Sequence, residues 1–256
     1  MEDVWSVPYL LELPAVLKGL DMIQNGDRAE LTLKMPDGTV VQKTLGLIDD
    51  PERKRKLNPP PRVESPLFLS NMNEMHWLKP MPEHRAIYVQ VNNIMNDKDE
   101  TLAQFGLTLK RAIQEQKPDN IILDIRHNNG GNTFTYVELL RTLIAFSTVE
   151  GHAVYALIGR NVYSAAANFS TDLERIVRPV FVGEPTSQIG NQWGDESQFV
   201  LPYSGQIGSF SGLRWQISHP WDQRHSLVPQ VPVQLTAKAY FRGEDPALDA
   251  VVRLIT

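Results

Sequence analysis

From residue 85 onward the sequence predicts an α/β fold with a mainly parallel sheet and crossover helices, and three observations carry that expectation. Short apolar runs at Ala86–Val91, 121–125, Ala153–Ile158 and 179–182 alternate with helical periodicities at 100–116, at 134–144 and after residue 164. Strands alternating with helices of this length imply right-handed crossovers and helices packed on the sheet faces. Polar residues and glycines follow the strands, and ligands gather at the carboxyl ends of strands in such sheets.

Residues 1–20 lack the basic start, apolar core and small-residue cleavage site of a signal peptide. Strand-like runs at 30–35 and 39–45 flank Pro36-Asp37-Gly38, and Asp-Gly marks a tight turn, so a β-hairpin is expected. Residues 49–66 are charged and carry Pro59, Pro60 and Pro61 in a row, which cannot donate ladder hydrogen bonds. They are expected to be a linker, giving an N-terminal piece at 1–48 and a main domain at 67–256. Within that domain the strand 121–125 ends in Arg126-His127-Asn128-Asn129-Gly130-Gly131-Asn132. The run Ala153–Ile158 leads through a turn holding Ser164 into a helix with Ala, Phe and Leu at helical spacing. In the last third, 198–201, 206–210 and 213–217 look like three short antiparallel strands with a turn at 202–205. Residues 245–254 read as a closing helix capped by Asp245, with Pro246 at its first position.

Composition excludes several classes. The 256 residues are 42% apolar and 21% charged, an ordinary globular balance. A net charge of −5 without a Lys/Arg-rich patch gives no reason to expect nucleic acid as a partner. With no run of about eighteen apolar residues, no integral membrane segment is expected and the chain should be soluble. The absence of cysteine removes disulfides, a thiol nucleophile and zinc–thiolate sites, but it fixes no compartment. No metal and no cofactor are expected.

The chemistry centres on Ser164. A serine where a strand feeds a helix has unsatisfied N–H groups beside it and the positive end of the helix dipole behind it, which suits an attacking oxygen that must later face an oxyanion. The plainer alternative is a helix cap. Gly130 and Gly131, directly after a strand, let the backbone approach a substrate and turn N–H groups toward an anion, or they simply make a turn.

At this point the residues carry a resemblance. Leu-Asp-Ile-Arg-x-Asn-x-Gly-Gly-Asn at 123–132, Gly-Arg-x-x-x-Ser-Ala-Ala at 159–166 and Gly183-Glu184-Pro185-Thr186 follow in an order and spacing similar to the C-terminal processing (tail-specific) serine protease family, to which the tricorn core also belongs. The resemblance spans about 77–254. It implies a ClpP/crotonase-like catalytic core preceded by a PDZ-like or cap remnant, and acyl-enzyme hydrolysis of a polypeptide substrate, with assembly into oligomers left open. Ser164 would be the nucleophile, and the N–H of Ala165 with that of Gly130 or Gly131 the oxyanion donors. Asn129, Asn132, Glu184, Thr186 and Asn191 would line the substrate.

The proton acceptor is where the chain departs from the family. One branch carries a lysine where this chain has Ile189, and an alkyl group takes no proton. The tricorn-like branch takes a histidine from an upstream Asp-Gly-His-Thr, with a late acid whose place Asp222 occupies. That motif does not occur here, so an N-terminal portion is expected to be missing. His127, in the Gly-Gly loop, and His225, near Asp222, are the local candidates for a base. An alternative on the same fold is a non-catalytic module that binds apolar ligands or peptides, since fold alone does not fix function.

Overall fold

The computed structural model describes residues 14–24, 26, 28–35, 37–46 and 65–256. The chain divides into two compact units, 1–59 and 60–256. Most of the expected linker, 49–64, lies outside the described residues.

The first unit contains helix α1 (Pro14–Gly19) and an antiparallel pair, β1 (Arg28–Lys34) and β2 (Val40–Gly46), in register from Arg28↔Gly46 to Lys34↔Val40. The turn forms because Asp37 Oδ1 accepts the Thr39 N–H at 2.9 Å while Gly38 takes φ 86°, a conformation that glycine adopts without a Cβ penalty.

The second unit runs α2 (Leu67–Ser70), β3 (His76–Met81), β4 (Ala86–Val91), α3 (Leu102–Gln116), β5 (Asn120–Asp124), α4 (Val137–Ser147), β6 (Ala153–Ile158) and α5 (Ala165–Asp172). It continues with β7 (Val180–Gly183), β8 (Asn191–Val200), β9 (Ile207–Gln216), β10 (Val231–Pro232), α6 (Ala237–Phe241) and α7 (Pro246–Ile255). Six strands form one sheet in the order β10-β7-β6-β5-β4-β3. All its pairings are parallel except β3 with β4, so the expected α/β architecture holds.

Side chains alternate across the sheet, and both faces are covered. Ile87, Val89, Ile121, Leu123, Ala156 and Ile158 face the cluster that also holds Phe105 and Leu109 of α3, Leu139 and Leu143 of α4, and Phe169 of α5. Tyr88, Ile122, Leu157 and Val182 point to the opposite face, against Ala247, Ala250 and Val251 of α7. Helix α3 starts at a reciprocal capping box: Thr101 Oγ1 accepts the Gln104 N–H while Gln104 Oε1 accepts the Thr101 N–H. Asp245 caps α7 by accepting the Leu248 N–H at 3.1 Å, with Pro246 in the first turn, as the sequence predicts.

Two expectations change. The helix expected at 134–144 begins at Val137, because Asn132 Oδ1 first caps a 3-10 turn at Thr133–Thr135. The three short strands of the last third are two long ones, β8 and β9, paired from Asn191↔Gln216 to Val200↔Ile207. Ser211 and Gly212 look like a break locally, but a cross-strand ladder carries the strand through them. Strands β3 and β10, for which there is no sequence expectation, join the sheet as its two edges. Among the described residues no helix is long and apolar enough to cross a membrane.

Candidate active site

Strands β4, β5, β6 and β7 deliver their carboxyl ends side by side, and the loops that follow them build the site. After β6 the chain turns sharply at Ser164, which takes φ 53°, ψ −127° and starts α5. A positive φ costs a side chain with a Cβ about 1–3 kcal/mol, and such strain gathers at functional sites. The Ser164 hydroxyl caps nothing and has no hydrogen-bond partner among the described residues. Helix α5 behind it is almost wholly buried, so its first N–H groups are aimed from a rigid element.

After β5, Asn128 is fully buried: its amide donates to the Val91 carbonyl at 3.0 Å and its oxygen accepts the Gly130 N–H at 3.0 Å. The loop is then pinned to Ile94, whose N–H donates to the Gly130 carbonyl at 2.8 Å and whose carbonyl accepts the Asn132 N–H at 2.7 Å. This brings Gly130 against the serine, where an added Cβ would stand 2.7 Å from Ser164 Cβ and 3.2 Å from the Ala165 nitrogen. Gly131 is pressed as closely on the Ile94 carbonyl, which only a residue without a Cβ permits at φ 137°. Of the two glycines expected to offer donors, Gly130 spends its N–H on Asn128. The N–H groups of Gly131 and Ala165 have no partner among the described residues. Gly130→Ala is expected to slow any acylation of Ser164 by about 10²-fold or more, because the methyl intrudes between hydroxyl and donor. An alanine variant that acylates at the wild-type rate would separate this loop from the chemistry of Ser164.

The remaining candidates fall into two other groups. His127 is stacked on Phe68 with ring centroids 5.6 Å apart, and with Glu184 it lines a cavity of about 300 Å³ at the ends of β5, β6 and β7. Burial pushes the His127 imidazole below its ordinary range, and Arg126 adds to this against Asp124, the Phe68 carbonyl and Asp245. Its Nε2 is buried without a partner. Glu184 accepts from Arg160 at 2.8 Å.

Asn191 and Asp222 form the other group. Asn191 donates to the carbonyls of His219 and Asp222 and accepts the Ser218 N–H, so its polar atoms hold the chain that follows β9. Asp222 is engaged by Arg224 and by the Ser218 hydroxyl at 2.7 Å, and the Arg224 hydrogen bonds hold its carboxyl far below the usual range. Thr186, almost fully buried, bonds the Gln188 carbonyl and the Leu227 N–H. Asn132 caps the 3-10 turn, Asn129 is exposed, and so is His225. Ile189 is 2% exposed and sits in the interior. None of His127, His225 and Asp222 is hydrogen-bonded to Ser164.

Sequence reasoning missed the polar residues that hold the turn: Asn128, Asn168, Gln188 and Gln192. Asn128 alone had a local signal, since an asparagine two residues before a glycine often accepts that N–H. Among the described residues no group of three or more His, Asp or Glu could hold a metal ion.

No family model matches the sequence, and no curated protein matches it. Solved structures do. A candidate peptidase from Parabacteroides merdae superimposes with a TM-score of 0.52 at 16% identity over 71% of this chain. This chain spans 64% of the length of that protein. Mature CPAF bound to lactacystin gives 0.55 at 12% identity, covering 97% of this chain and 75% of that one. A serine-to-alanine mutant of CPAF gives 0.58 at 12% identity, covering 89% and 67%. At these identities the likeness is one of fold: a mixed α/β fold with a mostly parallel central sheet, shared with peptidase structures.

Proposed function

We propose that the second unit is a serine-type peptidase of the tail-specific kind, acting on polypeptide through an acyl-enzyme on Ser164. The observation that carries this reading is the strained turn: Ser164 holds a positive φ at the start of a buried helix, its hydroxyl committed to nothing, with the Ala165 N–H next to it in the chain and the Gly131 N–H open in the loop whose Gly130 packs on it. In this reading Ser164 Oγ attacks the substrate carbonyl carbon, and the oxygen that becomes negative is met by the N–H groups of Ala165 and Gly131. Collapse of the tetrahedral species expels the amine, and water then releases the acyl group.

Among the described residues the hydroxyl proton has no hydrogen-bonded acceptor: Ile189 is apolar, His127 is stacked on Phe68 and Asp222 is tied to Arg224. General-base assistance contributes about 10²–10⁴ in rate, so the site should outpace water yet cut peptides slowly, with solvent taking the proton. A second reading, a binding module for peptides or apolar ligands, draws on the same Ile189.

A fluorophosphonate probe separates them. Acylation through Ser164 predicts a single adduct, mapped by mass spectrometry to Ser164, and measurable turnover of a p-nitrophenyl ester whose good leaving group needs little proton transfer. A folded chain that takes no adduct and turns over no ester is a binding module.

A further inference from the structure

The conformation of Ser164 is costly, and a costly backbone persists only when its surroundings over-determine it. Both ends of the Ser164 residue are held by side chains, one from the segment between β7 and β8 and one from the start of β8. The Ser164 N–H donates to Gln188 Oε1 at 2.9 Å, while the Ser164 carbonyl accepts from Gln192 Nε2 at 3.0 Å and from the Asn168 N–H at 3.1 Å. Gln188 is 5% exposed. Its backbone is fixed as well: Thr186 Oγ1 donates to the Gln188 carbonyl at 2.7 Å. The preceding Ser187 donates its N–H to the Val162 carbonyl at 3.1 Å and its hydroxyl to the Arg160 carbonyl. Three contacts of Ser187 and Gln188 therefore stitch the segment before β8 to the turn that carries the serine, and of these three the Gln188 amide is the one that reaches Ser164 itself.

We infer that Gln188 is the positioning residue of this site: its amide oxygen holds the Ser164 N–H and so keeps the serine in its strained, outward-facing conformation. A backbone N–H can be met only by the amide oxygen, which fixes which way the Gln188 amide lies. The same bond decides the composition of the oxyanion site. The N–H of Ser164 is consumed, leaving Ala165 and Gly131 as the two donors. Releasing it would free the turn to relax toward negative φ, carrying the hydroxyl away from both. The inference rests on the hydrolytic reading of Ser164.

Two variants test it. Gln188→Met keeps the length and removes the acceptor; Gln188→Glu keeps an acceptor oxygen in the same place. The readouts are the second-order rate of fluorophosphonate addition at Ser164, hydrogen exchange of the Ser164 amide, and a thermal melt to establish that each variant is folded. Gln188→Met is expected to lose about 10²-fold in labelling rate, the scale of a roughly 1 Å misplacement, with faster exchange at Ser164. Gln188→Glu is expected to stay within about tenfold of wild type with its exchange protection retained, an acceptor of like geometry replacing the amide oxygen. A folded Gln188→Met chain that labels at the wild-type rate overturns the inference, and so does a folded Gln188→Glu chain as slow as the Met variant. A wild-type chain that takes no label overturns the hydrolytic reading and this inference together, whereas a labelled wild type with an unaffected Met variant overturns this one alone.

Discussion

Replacing Ser164 by glycine is expected to abolish fluorophosphonate labelling and ester turnover while making the protein more stable. The hydroxyl is the only group the reaction needs from this side chain, and it makes no hydrogen bond that holds the fold. The Cβ, in contrast, is a burden at φ 53°. Relief of a strain of about 1–3 kcal/mol is offset by about 0.5–1 kcal/mol of added chain entropy in the unfolded state, leaving a net gain of about 1 kcal/mol. Ser164→Ala keeps the Cβ and the strain, so it should be equally inactive with stability within about 1 kcal/mol of wild type, no cap being lost. Denaturant melts beside the labelling assay check both. If either variant retained turnover, the reaction would not run through Ser164; if glycine destabilised, the strained turn would not be a cost carried for chemistry.

The second large effect is on stability. Arg126 lies at the end of β5 with its side chain 12% exposed, and its guanidinium donates to Asp124 at 2.6 Å and to Asp245 at 2.8 Å on both oxygens. Asp124 is fully buried and also accepts the Tyr88 hydroxyl at 2.6 Å, while Asp245 caps α7. One cation thus ties the sheet to the helix on its second face. Arg126→Ala strands two carboxylates in the interior and is expected to cost about 3–5 kcal/mol, far more than the pair would gain over an apolar replacement.

The pH dependence identifies the cause. Burial pushes the Asp124 carboxyl up, but the Arg126 charge and hydrogen bonds outweigh it and hold the group below its ordinary value. Its folded pKa being depressed, Asp124 contributes stability above the ordinary carboxylate range that is lost as pH falls through the folded value. Without Arg126 burial is opposed chiefly by the Tyr88 hydroxyl, the pKa rises, and the deficit of the variant should shrink as the pH is lowered toward the range where the carboxyl protonates. Urea melts at pH 7 and pH 5 measure this. An Arg126→Ala chain within about 1 kcal/mol of wild type, or one equally weakened at both values, would remove the ion cluster from the account. Because the cluster sits directly before Asn128 and the two glycines, labelling of Ser164 should weaken in the same variant.

How much of this was legible beforehand differs by element. The strands Ala86–Val91 and Ala153–Ile158 match their sequence expectation residue for residue. Strands buried on both faces are continuous apolar runs bounded by polar turns, and that signal is local. The cap at Asp245 and the Asp-Gly turn are local for the same reason. Ser164, Gly130 and Gly131 stood out as a strand-end serine and a glycine pair, but which glycine N–H stays open depends on the Asn128 side chain. The edge strands β3 and β10 have no strong pattern of their own and exist because a neighbouring strand offers them hydrogen bonds.

The sequence by itself determined the layering of the second unit, because alternating buried strands and amphipathic helices admit few arrangements, and it determined that a serine stands at the carboxyl end of the sheet. The tertiary structure alone decided what surrounds that serine. It turned Ser164 to a positive φ, placed Gln188 and Gln192 on its two backbone polar groups, and set Gly130 against its Cβ. It also sent His127 to a stack with Phe68 and Asp222 to Arg224. The hydrogen bonds on Ser164 join residues 24 or more positions apart with no shared periodicity, and bonds of this kind follow from where packing brings the loops together, which no stretch of the chain encodes alone.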